Sequence, residues 1–209
     1  MTAVVKRTEY QKYISPKHLN ERVKARRSVT LARDVEVVTM PVEQLKDYLD
    51  SNEVQYVAIE HSVAYTAKEI AERVDIKGDQ MAKTVMVVLD GCMSMVVLPA
   101  TCRIRWDRFM HAMGTELVSL ATEEEFKDKF PACEVGAMPP FGNLYDIPVY
   151  MYEGFDEEND IAFRAGNHHE IIKMSLSDYL DLAHPMTLNE GFAKIGVKKP
   201  SWLTRKKAS

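Results

Sequence analysis

The sequence predicts a mixed α/β fold in which peripheral helices surround a curved central β-sheet. An apolar, β-branched stretch at residues 81–98 contains the hairpin signal Asp90-Gly91, so it predicts two antiparallel strands joined by a tight turn. Segments with helical spacing and helix start signals lie on both sides of this hairpin. Short β-rich segments outnumber those of a repeated strand–helix–strand unit, which favours a mixed α/β or α+β architecture.

Helices are predicted where apolar residues recur at intervals of three and four behind a start signal. Pro41 suits the first helical position because its fixed φ matches that of a helix. Thr66 with Glu69, and Thr122 with Glu125, have the spacing of a capping box, in which each side chain accepts a hydrogen bond from the backbone of the other. The predicted helices lie at residues 41–51, 66–75, 105–113, 122–130 and 175–183.

Strands are predicted where β-branched and aromatic residues cluster between turn-forming residues. The predicted strands lie at residues 54–59, 81–89, 93–98, 147–152, 160–164 and 170–174. We place the domain at residues 41–186, behind a basic N-terminal extension (an arm or helix) at residues 1–40 and before a basic C-terminal tail at residues 187–209.

Charge is distributed unevenly along the chain. Residues 1–33 hold nine Lys/Arg against two acids and residues 194–209 hold six against none, whereas residues 34–193 hold 12 against 29. An acidic body therefore carries two basic ends. Basic ends suit a polyanion such as RNA because Lys and Arg displace the counterions of phosphates, and they are equally typical of solubilising termini.

Several function classes are excluded by what the sequence lacks. No apolar run approaches the roughly 20 residues of a membrane helix, and the N-terminus lacks the apolar core of a signal peptide, which predicts a soluble, cytoplasmic protein without a membrane partner. The three cysteines form no CxxC pair, so we expect reduced core thiols. Signatures of nucleotide-binding loops, zinc proteases and serine hydrolases are absent, and we predict no metal and no cofactor.

Two segments have a composition that suits ligand binding. In residues 136–142, two prolines and two flanking glycines form a stiff loop that can present backbone amides to a ligand oxygen, although a tight structural turn has the same composition. Lys83 lies near the start of an otherwise apolar strand. There it can bind a phosphate or carboxylate, or stabilise an oxyanion, or it can extend from the strand end into solvent without a chemical role.

Histidines mark two further segments. A strand end at residues 164–169 turns through Gly166 into His168 and His169, and His61 precedes the helix that Thr66 begins. Adjacent strand residues point to opposite faces, and no Asp, Glu or Cys stands at a ligand spacing, so zinc is disfavoured. A cleft-facing histidine that hydrogen-bonds or transfers protons, with the other histidine exposed, fits the pattern better.

Together these segments resemble the YbaK/ProRS-associated domain family, whose members deacylate mischarged tRNA. The order and spacing match over about residues 42–185. The segments that carry the resemblance are His61-Ser62-Val63-Ala64-Tyr65-Thr66-Ala67 with Glu69, Met81-Ala82-Lys83-Thr84, Leu98-Pro99-Ala100, residues 136–142 with Leu144-Tyr145-Asp146-Ile147-Pro148-Val149, Ala165-Gly166-Asn167-His168 and Ile172-Lys173-Met174.

The resemblance implies a barrel-like mixed sheet and hydrolysis of the ester that joins an amino acid to the terminal adenosine of tRNA. It implies Lys83, Gly136 and His168 as catalytic residues, with Lys83 at the adenosine, Gly136 and Pro140 in a GxxxP loop and His168 in a GxH turn. The substrate-binding residues that it implies are His61, Tyr65, Thr66, Met138, Pro139, Pro140, Phe141, Gly142 and Gly166. The expected partners are the acceptor end of aminoacyl-tRNA and an aminoacyl-tRNA synthetase.

Such chemistry needs no strong protein nucleophile, because an aminoacyl ester is already activated and requires a positioned water and a stabilised oxyanion. We expect a ribose hydroxyl of the substrate to activate the water and the size of the pocket to select a small amino acid. One alternative is a non-catalytic module of the same fold that binds tRNA or a synthetase. Another is a hydrolase of other activated esters, which would not need the basic ends. The edited amino acid, the tRNA and the oligomeric state are left open.

Overall fold

The computed structural model describes residues 41–62, 66–73, 76–131, 133–155 and 160–196. The predicted N-terminal extension, Tyr65 and residues 197–209 of the predicted C-terminal tail lie outside the described residues. The helices are α1 (Pro41–Ser51), α2 (Ala67–Arg73), α3 (Trp106–Met113), α4 (Glu123–Phe126) and α5 (Leu176–Ala183), with single 3₁₀ turns at Lys127–Lys129 and Gly142–Leu144. The strands are β1 (Tyr56–Glu60), β2 (Ala82–Leu89), β3 (Cys92–Pro99), β4 (Cys102–Ile104), β5 (Val118–Leu120), β6 (Val149–Tyr152), β7 (Asp160–Arg164), β8 (Glu170–Ser175), β9 (Met186–Leu188) and β10 (Phe192–Lys194).

The described strands form a five-stranded sheet, a three-stranded sheet and a two-stranded ribbon. The strand order is β5-β2-β3-β6-β9 in the first sheet, β1-β8-β7 in the second and β10-β4 in the ribbon. The five-stranded sheet contains antiparallel pairs (β2 with β3 and β5) and parallel pairs (β3 with β6, β6 with β9). The predicted mixed α/β fold class is therefore confirmed.

The two larger sheets meet where β2 begins. Met81 and Ala162 form a single parallel bridge, and the Ala162 N–H donates a hydrogen bond to the carbonyl of Gln80 at 3.0 Å. Among the described strands the pairing does not close into a complete hydrogen-bonded barrel. The bridge nevertheless brings the first residues of β2 next to the strand that leads to the predicted histidine turn.

The predicted hairpin is confirmed at residues 82–99. β2 and β3 pair antiparallel from Ala82 with Pro99 to Leu89 with Cys92. Both turn residues have positive φ, 47° at Asp90 and 84° at Gly91, as a two-residue type I′ turn requires. The register of this ladder fixes the position of every side chain on β2.

The predicted helix at residues 122–130 is shorter than expected. Thr122 and Glu125 form the predicted capping box, with the Thr122 N–H donating to the Glu125 carboxylate at 2.7 Å. The α-helix ends at Phe126 and continues only as a 3₁₀ turn. Pro131 explains why no helical turn continues beyond residue 129, because a proline disfavours helical geometry in the residue before it, here Phe130.

Four strands of three residues each were not predicted, because so short a segment shows no periodicity. Two of them extend the fold past the boundary predicted at residue 186. β9 pairs in parallel with β6, and β10 pairs antiparallel with β4. The Lys194 ammonium also lies 3.2 Å from the Asp79 carboxylate, which links β10 to the turn before β2.

The centre of the core is Phe141, which is fully buried. Its ring makes edge-to-face contacts with Tyr48 of α1, Phe163 of β7 and Tyr179 of α5, at centroid distances of 6.0, 5.5 and 5.3 Å. The Tyr179 hydroxyl donates a hydrogen bond to the Pro140 carbonyl at 2.9 Å. The proline-rich loop is therefore anchored by aromatic packing from three separate elements.

A substitution at Gly142 tests how tightly the loop is packed, because this residue lies directly against the backbone of the same turn. A Cβ at Gly142 would lie 2.3 Å from the Ile147 carbonyl oxygen, which belongs to the same turn. We expect Gly142→Ala to lower the free energy of unfolding by about 1–3 kcal/mol, the range of an overpacked core, as measured by urea denaturation.

The matched control is Gly154→Ala, where the Cβ would meet the far end of the half-buried Tyr152 side chain rather than backbone. We expect a smaller loss from this substitution. Equal losses at the two positions would contradict the anchoring.

Candidate functional site

A cavity of about 340 Å³ opens where α2, β2, β7 and the proline-rich loop meet. It brings together four of the predicted site residues, Thr66, Lys83, Gly136 and Met138, which are far apart in the sequence. The other residues that line it are Ala67, Lys68, Met81, Ala82, Thr84, Ala100 and Arg164. The described lining residues thus supply three cationic side chains and no carboxylate, so the cavity suits an anionic ligand.

Lys83 is the second residue of β2 and pairs with Leu98 of β3, which fixes its position at the open end of the hairpin. Its side chain is half-buried. Burial lowers the pKa of the Lys83 ammonium because the charged form loses solvation, and the neighbouring Cys102 thiol opposes this shift only in part. Within the described part of the chain no carboxylate forms an ion pair with Lys83. The Lys83 ammonium can therefore bind an anionic ligand without first breaking an ion pair to a described carboxylate.

The loop at residues 134–138 forms a tight turn, and its residues Gly136 and Met138 line the same cavity as Lys83. The Ala137 N–H donates to the Glu134 carbonyl at 2.9 Å, and Gly136 has a φ of 81°, a left-handed conformation that favours glycine. Neither the Gly136 N–H nor the Met138 N–H donates a hydrogen bond to another described residue. Both residues line the cavity, so two amides without an acceptor among the described residues belong to its lining.

Arg164, the last residue of β7, holds this loop from the other side. Its Nη1 donates a hydrogen bond to the Gly136 carbonyl at 2.7 Å. The pKa of the Arg164 guanidinium is lowered by burial, while the carboxylates of Glu69 and Glu134 act in the opposite direction. The sequence patterns assigned Arg164 no role. Its place at the end of a strand, directly before the predicted histidine turn, was the available signal.

His168 lies behind the loop and is not among the residues that line the cavity. Its backbone N–H donates to Glu134 Oε2 at 2.6 Å, and its Nε2 lies 3.0 Å from the Val135 carbonyl oxygen. The Glu134 N–H in turn donates to the Gly166 carbonyl at 2.9 Å. Gly166 and His168 therefore act on the Gly136 loop from outside the cavity.

The other predicted residues occupy different positions. Pro139, Pro140, Phe141 and Gly142 are buried and belong to the core beneath the cavity rather than to its lining. His61 lies at the end of β1, where its N–H donates to the His169 carbonyl at 2.8 Å and its Nδ1 lies 2.7 Å from the Ser62 carbonyl oxygen. Thr66 forms the predicted capping box with Glu69 and lines the cavity as well.

A larger and more open cleft, of about 550 Å³, lies between α3 and the β9–β10 turn. Its lining mixes acidic side chains (Asp107, Glu190) with basic ones (Arg108, His111) and includes no predicted site residue. Over the described ranges, no three His, Cys, Asp or Glu side chains are grouped so that they could hold a metal ion. A search of the same residues finds no helix that is long and apolar enough to cross a membrane.

Comparison with known proteins gives independent matches. The profile of the aminoacyl-tRNA editing domain matches residues 61–182, which is more than half of the chain. A proline–tRNA ligase from Shouchella clausii is 30% identical over 87 residues, which cover 42% of this chain and only 15% of that enzyme.

Solved structures match the fold. A protein described as a candidate trans-editing enzyme for prolyl-tRNA synthetase has a TM-score of 0.62 and 18% identity, over 74% of this chain and 98% of its own. A hypothetical protein of known crystal structure gives a TM-score of 0.62 and 15% identity, over 70% and 98%. At these identities the likeness shows a common fold. Together with the profile match over residues 61–182, it leads to the conclusion that this chain belongs to the aminoacyl-tRNA editing domain family.

Proposed function

We propose that this protein hydrolyses the ester bond of mischarged aminoacyl-tRNA, acting as a deacylase on a tRNA that carries a small amino acid. The observation that carries the proposal is the cavity in which Lys83 of β2 and the available amides of Gly136 and Met138 share one wall. The family to which the chain belongs and the solved trans-editing candidate of similar fold support the same reaction class.

The proposed division of roles follows from the chemistry of each group. Lys83 binds a phosphate of the terminal adenosine through its ammonium, which is a compact charge and has no protein carboxylate to displace within the described residues. The Gly136 amide donates to the oxyanion that forms when water attacks the ester carbonyl. A ribose hydroxyl of the substrate activates the water. The ester is already activated, so the proposed reaction requires neither a protein nucleophile nor a cofactor.

Selection by size is proposed to occur at the apolar part of the same wall. Ala82, Ala100 and Met138 line the cavity, and all three are buried. A wall of two alanines and one buried methionine in a closely packed core admits a short amino-acid side chain and excludes a bulkier one by steric overlap. A synthetase gains only about 1–3 kcal/mol of selectivity from one methylene, so it releases some mischarged tRNA that a separate deacylase can hydrolyse.

The proposal is tested by measuring deacylation of tRNAs charged with alanine, cysteine and serine. We expect Lys83-dependent hydrolysis of at least one of them, and we expect Lys83→Ala to remove most of it. The matched control is Lys173→Ala, because Lys173 lies on β8 outside the cavity and pairs with Asp160 at 2.8 Å. Intact tRNA binding without hydrolysis would instead identify a non-catalytic binding module. Full activity of Lys83→Ala would refute the assigned site.

The partly buried charge of Lys83 is expected to lower the stability of the fold although the proposed activity requires it. Because its folded-state pKa is lowered, the unfolded chain binds the proton more tightly, and the buried charge costs stability at every pH below that lowered pKa. We expect Lys83→Met to raise the midpoint of urea denaturation at neutral pH while it abolishes activity. The difference from wild type should shrink as the pH rises towards the ordinary range of lysine, since the wild-type ammonium then loses its proton. A lower midpoint for Lys83→Met at neutral pH would contradict the prediction.

The basic ends are proposed to contribute affinity for tRNA. Five Lys/Arg lie between residues 198 and 207. Replacing these five by Gln in the full chain should weaken tRNA binding and flatten its dependence on salt, by about 0.7–0.9 in the logarithmic slope for each phosphate that the variant no longer neutralises. The measurement is binding of deacylated tRNA over a salt series. An unchanged slope would show that this end takes no part in binding, and it would leave the deacylation result unaffected.

A further inference from the structure

The loop that carries Gly136 is held by three side chains that no pattern in the sequence connects. Two consecutive carbonyl oxygens of this loop, those of Val135 and Gly136, accept hydrogen bonds from His168 Nε2 at 3.0 Å and from Arg164 Nη1 at 2.7 Å. Glu134, at the start of the loop, receives the backbone N–H of His168 at 2.6 Å. The loop and the turn after β7 are therefore joined by side chains as well as by backbone.

These hydrogen bonds determine where the loop amides point. In a trans peptide the carbonyl and the next N–H point in opposite directions. Because the Val135 carbonyl points at His168, the Gly136 N–H must point away from the His168 ring. The guanidinium fixes the following peptide in the same way, and the Ala137 N–H of that peptide donates to the Glu134 carbonyl at 2.9 Å. Two consecutive peptide planes are thus set by two side chains.

The protonation of His168 follows from the same geometry. A carbonyl oxygen can only accept, so the Nε2 that contacts Val135 must carry a proton. Nε2 carries a proton both in the imidazolium ion and in one neutral tautomer, so this hydrogen bond persists in both charge states. Of the charged groups in the described residues, the Glu134 carboxylate lies 4.0 Å from Nε2, and the Arg164 guanidinium and the His168 ring both lie beside Gly136. The Nε2 proton is therefore donated to the loop rather than into the cavity, which His168 does not line.

We propose that Arg164 is a positioning residue for deacylation, and that it acts together with Glu134 and His168 to aim the Gly136 amide at the ester oxyanion. The inference rests on the proposed function and deepens it, since it reassigns His168 from a group that handles substrate or water to one that orients the loop. The role of Arg164 is exerted through the Gly136 carbonyl and not through contact with the tRNA.

Kinetics of Arg164 variants separate these roles. We expect Arg164→Met to lower kcat by about 10²-fold, the cost of misplacing a catalytic group by about 1 Å, with KM within about twofold of wild type. Arg164→Lys, which keeps one donor, should recover part of the loss. The matched control is Arg103→Met, an exposed residue of β4 outside the cavity, which should leave both constants unchanged. A rise in KM alone would mean that Arg164 binds the substrate, and it would overturn the proposal.

His168 variants test whether the Nε2 proton serves as a hydrogen-bond donor to the loop or is transferred during the reaction. We expect His168→Gln, which retains an N–H donor, to keep more activity than His168→Ala. The pH–rate profile of His168→Gln should follow that of wild type between about pH 6 and 8, the range in which histidine titrates. An inflection that is present in wild type and lost in His168→Gln would assign proton transfer to His168 and overturn the positioning role.

Hydrogen exchange provides a readout that does not depend on activity. In Arg164→Met the Ala137 amide should exchange faster than in wild type, while amides of the β2–β3 ladder remain unchanged. If wild type deacylates no tRNA but this acceleration is seen, the proposed function fails and the orientation of the loop by Arg164 stands. If the Ala137 amide exchanges at the wild-type rate, the positioning proposal is overturned whatever the activity.

Discussion

The site depends on one buried hydrogen bond, from the Tyr179 hydroxyl to the Pro140 carbonyl at 2.9 Å. Tyr179 is fully buried, and burial raises the pKa of its hydroxyl far above the ordinary value, so the group stays a neutral donor. A buried hydroxyl without a partner would cost about 1–3 kcal/mol, and the Pro140 carbonyl removes that cost. Phe141, the next residue, packs against Tyr179 at a ring distance of 5.3 Å. Helix α5 thereby fixes residues 140 and 141, which directly follow the part of the loop that contains Gly136. The cavity wall is thus attached to the core.

Electrostatics make the cavity distinct from the rest of an acidic body. Lys68, Lys83 and Arg164 line one cavity, although residues 34–193 carry 29 acids against 12 bases. Glu69 and Glu134 lie near Arg164 and partly balance its charge, whereas the described residues supply no carboxylate partner for Lys83. Charge within a partly desolvated cavity acts at short range, while the acidic surface is screened by salt beyond about 10 Å. A polyanion can therefore be recognised at the cavity although the net charge of the body opposes its approach.

Local signals in the sequence were sufficient where one or two residues determine the geometry. Asp90-Gly91 specified the hairpin, and Thr122 with Glu125 specified a helix start, because a turn type and a capping box are properties of adjacent residues. The convergence of Lys83 with Gly136 and Met138 came from a family resemblance, since no local rule brings β2 to a loop about 50 residues later. Arg164 was missed for the same reason, because its proposed role depends on a contact with Gly136, 28 residues away. The strands of three residues escaped detection because they exist only through their partners.

The group proposed to stabilise the transition state lies on a different element from most of the wall proposed to face the amino acid. The Gly136 peptide is held by Arg164 and His168 and, through the core, by Tyr179, of which only Arg164 reaches the cavity. The apolar wall is built from Ala82 and Ala100, which belong to the β2–β3 hairpin and its end, together with Met138 of the loop itself. A substitution at Ala82 or Ala100 would change the space for a side chain without removing the Arg164 and His168 side chains that hydrogen-bond to the loop. Under the proposed mechanism, the β2–β3 part of the wall can therefore vary in size while the hydrogen bonds that orient the Gly136 loop stay the same.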